Sequence, residues 1–155
     1  MQIIACGNPE RGDDGAGLLV FRRLRELGIE ALGVRTNTCC GEATGLLSAW
    51  SSDDHLILLD AVVTGAPVGT VHRWDGIPPA ASSPSASTHG LGVMQALRLA
   101  HVLGRVPKLL EVYGIEGKRF GLGSPPSPQV KAAAEALAQQ IHTTIQAGQA
   151  PKQVE

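Results

Sequence analysis

Three short stretches of this chain place acidic or imidazole side chains where chemistry is possible. The first is Asp13-Asp14, set between Gly7-Asn8 and Gly15-Ala16-Gly17. The second is Asp60, which ends the apolar run Leu56-Ile57-Leu58-Leu59. The third is His89, within Ser87-Thr88-His89-Gly90-Leu91-Gly92. Two carboxylates and one imidazole form a facial donor set for a borderline divalent metal with open positions. A carboxylate can also act as general base on water. Glycines beside each stretch leave room for a second chain's backbone to approach.

Each stretch also has a structural reading. An acidic pair ahead of a helix caps its amides and meets its dipole. A carboxylate at the end of a buried strand can cap a turn, although its burial in isolation is costly. A histidine at a helix start can be an ordinary loop residue. The same helix N-terminus disfavours positive charge, which keeps an imidazole neutral and able to ligate. Singly, these alternatives stay open, and joint placement on one sheet edge is what favours a site.

Other chemistry-bearing residues fit less well. His55 and His72 fall on strands with no acidic partner at a readable spacing, and His101 and His142 fall on helices. Cys39-Cys40 offers a thiol nucleophile or soft metal ligands, but small buried cysteines are commoner and no C-x-x-C spacing exists. No Gly-x-Ser-x-Gly elbow is present. The glycine-rich stretch 12–17 carries two adjacent carboxylates that would repel phosphate.

The elements that must position these residues are an alternation of strands and helices. Strands are predicted at 2–6, 32–36, 55–62, 68–74 and 108–115. Runs 55–62 and 108–115 are nearly continuously apolar, as in parallel strands buried on both faces. The short connection before 68–74 predicts a strand antiparallel to its predecessor. Helices are predicted from Asp13-Asp14 to Leu27, at 43–50, at 90–102 and at 127–147. The last carries Val130, Ala133, Ala134, Leu137, Ile141 and Ile145 at helical spacing. The pattern predicts one three-layer α/β domain over residues 1–148, with a flexible tail at 149–155. Its sheet is twisted, mixed but mostly parallel, of about five strands, with helices on both faces. Ligands of such sheets bind outside the carboxyl ends of the strands, where all three stretches fall.

Composition excludes several classes. The chain has 155 residues and a net charge of -1, with 3% aromatic residues. A nucleic-acid binder would show a basic surplus or stacking side chains, so none is expected as partner. No apolar run approaches a membrane span, and residues 1–20 lack the pattern of a signal peptide. Cys6, Cys39 and Cys40 make an odd count, which suits a reduced, cytoplasmic protein. The 19 glycines exceed average usage and gather in the loops around the three stretches.

The motifs resemble a known family. Gly7-Asn8-Pro9-Glu10-Arg11-Gly12-Asp13-Asp14-Gly15-Ala16-Gly17 resembles the opening motif of the [NiFe]-hydrogenase maturation endopeptidases. Leu59-Asp60-Ala61-Val62, with Gly65 and Pro67-Val68-Gly69, resembles their second motif, and Ser87-Thr88-His89-Gly90-Leu91 their third. The strand at 110–115 with Glu116-Gly117, and the later Ser127-Pro128-Gln129-Val130, are similar to the family's closing segments. The resemblance implies a cytoplasmic protease that trims a C-terminal extension from the hydrogenase large-subunit precursor after nickel insertion. Carried over by motif, Asp14, Asp60 and His89 are the metal-contacting residues, and Asp14 or Asp60 is the catalytic carboxylate.

Asp13 is then a helix cap or a group that supports the ligands from behind, as is Asn8. Gly41, Glu42, Thr88 and Gly90 are the expected substrate contacts, and the loops 76–87 and 117–126 the expected docking surface. Family members often carry Asp and glycines after the second strand, where this chain reads Thr38-Cys39-Cys40-Gly41. Nickel is expected to arrive with the substrate, the free enzyme being metal-free. Two other classes stand beside this reading. A non-cleaving module that checks the large subunit for nickel would use the same residues. A small-molecule hydrolase or nucleotide binder would need phosphate-cradling residues that the sequence lacks.

Overall fold

The computed structural model describes residues 1–39, 43–52, 54–79 and 88–149, with side chains at 43, 44, 88–92 and 149 outside that description. The strands are β1 (Gln2–Cys6), β2 (Arg35–Cys39), β3 (His55–Val62), β4 (Val71–Asp75) and β5 (Leu109–Glu116). The helices are α1 (Ala16–Glu26), α2 (Ala43–Leu47), α3 (Thr88–Val102) and α4 (Pro128–Gln149). One sheet contains all five strands in the order β2-β1-β3-β5-β4. Four run parallel, and β4 pairs antiparallel with β5. This is the predicted mostly parallel mixed sheet.

Strand alternation divides the core in two. Ile3, Ala5, Ile57, Leu59, Tyr113 and Ile115 face α1 and α4. Ile4, Cys6, Leu56, Leu58, Leu110 and Val112 face α2 and α3. The predicted stripe of α4 supplies Val130, Ala134, Leu137, Ile141 and Ile145 to the first layer, and Val20 and Leu24 of α1 meet them there. Burial of apolar side chains on both faces of one sheet fixes the layer order.

Several boundaries differ from the sequence expectations. A 3-10 turn at Gly12–Gly15 precedes α1, so the helix begins after Asp13-Asp14 and neither side chain caps it. A second 3-10 turn at Ile29–Leu32 displaces β2 to Arg35–Cys39. Before β4, Thr70 turns back on Pro67 through its amide, at 3.0 Å, and its hydroxyl, at 2.6 Å. At the end of that turn Gly69 and Thr70 already exchange backbone hydrogen bonds with Glu116, at 2.8 and 2.9 Å, and β4 proper begins at Val71. β4 opposes β3 in direction as expected, but it lies beyond β5 rather than beside β3. The expected tail at 149–155 falls outside the described residues apart from Gln149, the last residue of α4.

Candidate functional site

The site is built at the carboxyl ends of β1 and β3. After Cys6 the chain turns at Gly7, whose φ is +131°. A Cβ on Gly7 would sit 2.1 Å from the Asp14 carbonyl oxygen, so the turn and the 3-10 helix touch backbone to backbone. A Cβ on Gly17 would lie 2.5 Å from the Leu59 carbonyl oxygen. The start of α1 therefore rests directly on the end of β3. These two contacts bring Asp14 to Asp60.

Asp14 is 1% exposed. Its Oδ2 accepts the Asn8 backbone N–H at 2.9 Å, while its Oδ1 is buried and has no hydrogen-bond partner among the described residues. An orphaned carboxylate oxygen is costly to bury, and such a group calls for an explanation in ligand binding or catalysis. Asn8 thus supports Asp14 through its main chain. Its side chain is spent on the Glu10 N–H at 2.9 Å.

Asp60 is buried at the end of β3 and accepts the Ala61 N–H at 2.8 Å. Alternation along the strand turns it toward the α2 and α3 face. Burial pushes its carboxyl well above the usual carboxylate range; the Ala61 N–H opposes that, and the nearby Asp14 charge adds to it. A buried carboxyl raised by desolvation and by a neighbouring carboxylate marks a candidate functional site.

Asp13 turns away from this pair. Its buried carboxylate accepts the N–H groups of Lys118 at 2.8 Å, Arg119 at 2.9 Å and Ser127 at 2.6 Å, and the Ser127 hydroxyl at 2.7 Å. Burial works against its charge, but the donors from Arg119, Ser127 and Lys118 prevail and hold its pKa below the ordinary value. Asp13 pins the segment after β5 beside the site.

His89 is the second residue of α3. That helix leads down to the start of β5, so its first turn lies toward the carboxyl ends of the strands. It packs on the same face that carries Cys6. Thr88 and Gly90 share the first turn, with side-chain positions outside the description. Gly41 and Glu42 fall outside the described residues altogether, as does most of the 76–87 loop. Among the described residues, no three His, Cys, Asp or Glu side chains are grouped to hold a metal.

The sequence reading left three features out. Cys6 and Cys39 lie side by side at the tips of β1 and β2, next to the carboxylates. Their hydrogen bond, together with burial and the charges of Asp60 and Asp14, pushes the Cys6 thiol up. His55 and His72 do have acidic partners, Glu111 at 2.7 Å and Glu116 at 3.1 Å, each across the sheet. Glu116, 2% exposed, also accepts Thr64 N–H at 2.7 Å, Thr64 hydroxyl at 2.9 Å and Gly65 N–H at 3.0 Å. Only the position of Cys6 as the last residue of a strand could have signalled the first of these. A separate cavity of about 300 Å³ is lined by Met1, His55, Ile57, Glu111, Tyr113 and Ile145 among others. It opens at the amino ends of the strands, away from the carboxylates.

Comparison with known proteins follows the same geometry. A family model described as hydrogenase maturation protease (HycI) matches residues 42–144. The hydrogenase expression/formation protein HupD of Thiocapsa roseopersicina is 28% identical over 132 residues, 83% of this chain. The chain spans 60% of the length of that relative. Among solved structures, the hydrogenase maturating endopeptidase HybD from E. coli aligns with a TM-score of 0.74 at 22% identity, over 96% of this chain and 94% of that one. The [NiFe] hydrogenase maturation protease HycI from Thermococcus kodakarensis aligns with a TM-score of 0.66 at 26% identity, over 94% of this chain and 92% of that one.

Proposed function

Because the chain belongs to the hydrogenase maturation protease family, we propose that it is an endopeptidase that removes the C-terminal extension of a [NiFe]-hydrogenase large-subunit precursor. Cleavage follows nickel insertion, and the nickel held by the substrate is what the enzyme recognises. The observation that carries this reading is the buried Oδ1 of Asp14, which has no hydrogen-bond partner among the described residues, beside the raised carboxyl of Asp60. A cation brought by a partner would give both groups the charge they lack. The acceptor chemistry of the two carboxylates fits such an ion.

Asp14, Asp60 and His89 are assigned as the residues that contact the substrate's nickel. Bound there, the ion supplies orientation and Lewis-acid polarisation at the scissile bond. Burial raises the proton affinity of Asp60 above that of an ordinary carboxylate, which suits it to proton transfer. Asp14 or Asp60 takes the proton of the attacking water. Asn8 keeps Asp14 in place through its N–H. No helix among the described residues is long and apolar enough to cross a membrane, and the cytoplasm is the proposed compartment.

Incubation with nickel-loaded precursor, followed by intact-mass measurement, tests the proposal. A truncated precursor is expected, and Asp14→Ala, Asp60→Ala and His89→Ala are expected to abolish truncation. Tight binding of the precursor with no mass loss would instead leave a nickel-checking module.

A further inference from the structure

We propose that Cys6 and Cys39 form an oxidisable dithiol, a modification site that closes to a disulfide beside the carboxylates. The two residues are direct partners in the parallel ladder of β1 and β2. Neighbouring strands lie about 4.7–4.9 Å apart, inside the roughly 4.4–6.8 Å Cα separation that disulfides span. Both side chains lie on the α2 and α3 face, since both pack with the same apolar cluster. The thiols are hydrogen-bonded to each other, and both stand outside any disulfide. Sequence neighbours of Cys6 tie the pair to the site: Gly7 touches Asp14 and Asn8 donates to it.

Exposure sets the order of events. Cys6 is fully buried, whereas Cys39 is partly exposed at the end of an edge strand. An oxidant such as a peroxide reaches Cys39 first. The Cys39 sulfur attacks one peroxide oxygen, the O–O bond breaks, and Cys39 becomes a sulfenic acid with release of water. The Cys6 sulfur then attacks the sulfenic sulfur, the S–O bond breaks, and hydroxide leaves with the Cys6 proton as a second water. Two thiols are oxidised by two electrons, and one peroxide is reduced to two waters. The bridge would draw the tips of β1 and β2 together and shift the turn that holds Asp14. Displacement of that turn is expected to slow the reaction proposed above, on which this consequence rests.

The experiment treats the full chain with hydrogen peroxide without denaturant, blocks remaining thiols by alkylation and maps the peptides by mass. A linked Cys6–Cys39 peptide lacking two hydrogens is expected in the wild type and in Cys40→Ser, and none in Cys39→Ser. Reduction with dithiothreitol should remove it. A bridge to Cys40 in its place, or oxidation of Cys39 to a sulfinic acid with Cys6 still alkylated, would overturn the proposal. Because the bridge is read on the protein alone, this result stands whether or not the protein cleaves a precursor. If the reduced enzyme cleaves, the bridged form should be slower by about a hundredfold, as expected for a misplaced catalytic group. An unchanged rate in the bridged form would overturn the effect on the site.

Discussion

Ser127 gives Asp13 both of its donors, the backbone N–H at 2.6 Å and the hydroxyl at 2.7 Å, across 114 residues of sequence. The bond joins the 3-10 turn before α1 to the start of α4. Lys118 and Arg119 bind the same carboxylate, so one side chain closes the loop after β5 onto the site.

Removing that carboxylate should be severe. Asp13→Ala leaves the buried Ser127 N–H and the part-buried N–H groups of Lys118 and Arg119 without their acceptor, at a cost of about 3 kcal/mol. Ser127→Ala removes only the hydroxyl and should cost about 1–2 kcal/mol. Urea unfolding measures both. Equal stability of Asp13→Ala and the wild type would show that the clamp is idle.

Asp60 should trade stability for function. Its folded pKa lies above the unfolded value. The fold therefore favours its protonated form, and that stabilisation is lost as pH rises through the folded pKa. Asp60→Asn, neutral at every pH, is expected to melt above the wild type at pH 7 while cleaving nothing. A lower melting temperature for Asp60→Asn would contradict the assignment of burial as the cause.

Glu116 governs the acid limb in the opposite sense. Burial works against its charge, but Thr64, His72 and Gly65 hold its pKa below the ordinary value. Its contribution is present above the unfolded pKa of about 4.3 and is lost as pH falls through the lower folded value. Glu116→Gln should cost about 2–3 kcal/mol at pH 7 and flatten the fall in stability below pH 5. Thermal melts across pH 3 to 7 decide this, and an unchanged slope would rule it out.

His89→Ala should abolish precursor truncation and leave the melting temperature within about 1 °C. A residue in the first turn of a helix whose role is to contact a ligand carries little folding energy. Retained truncation would remove His89 from the ligand set.

The legible parts of this molecule were those set by short-range pattern. The apolar runs of β3 and β5 and the stripe of α4 were readable because burial imposes a period. The boundary at Asp13-Asp14 was misread because adjacent acids resemble caps. What decides their roles is tertiary: Gly7 and Gly17 admit close backbone contact for Asp14, and a loop more than 100 residues away claims Asp13. The pairs His55–Glu111 and His72–Glu116 escaped notice for a similar reason. Their partners are 56 and 44 residues distant and meet only through strand order. The position of β4 beyond β5 is likewise a matter of topology, and no local pattern encodes it.

The contacts of Gly7 with Asp14 and of Gly17 with Leu59 have one more consequence, for portability. Main chain against main chain sets the gap between the carboxylates, so the gap does not depend on which side chains fill the two apolar layers. The smallest transplantable unit is then β1, its turn, the first half of α1 and the last residues of β3. Grafted onto another parallel sheet with the same strand spacing, those segments should bring two carboxylates together without the rest of this protein.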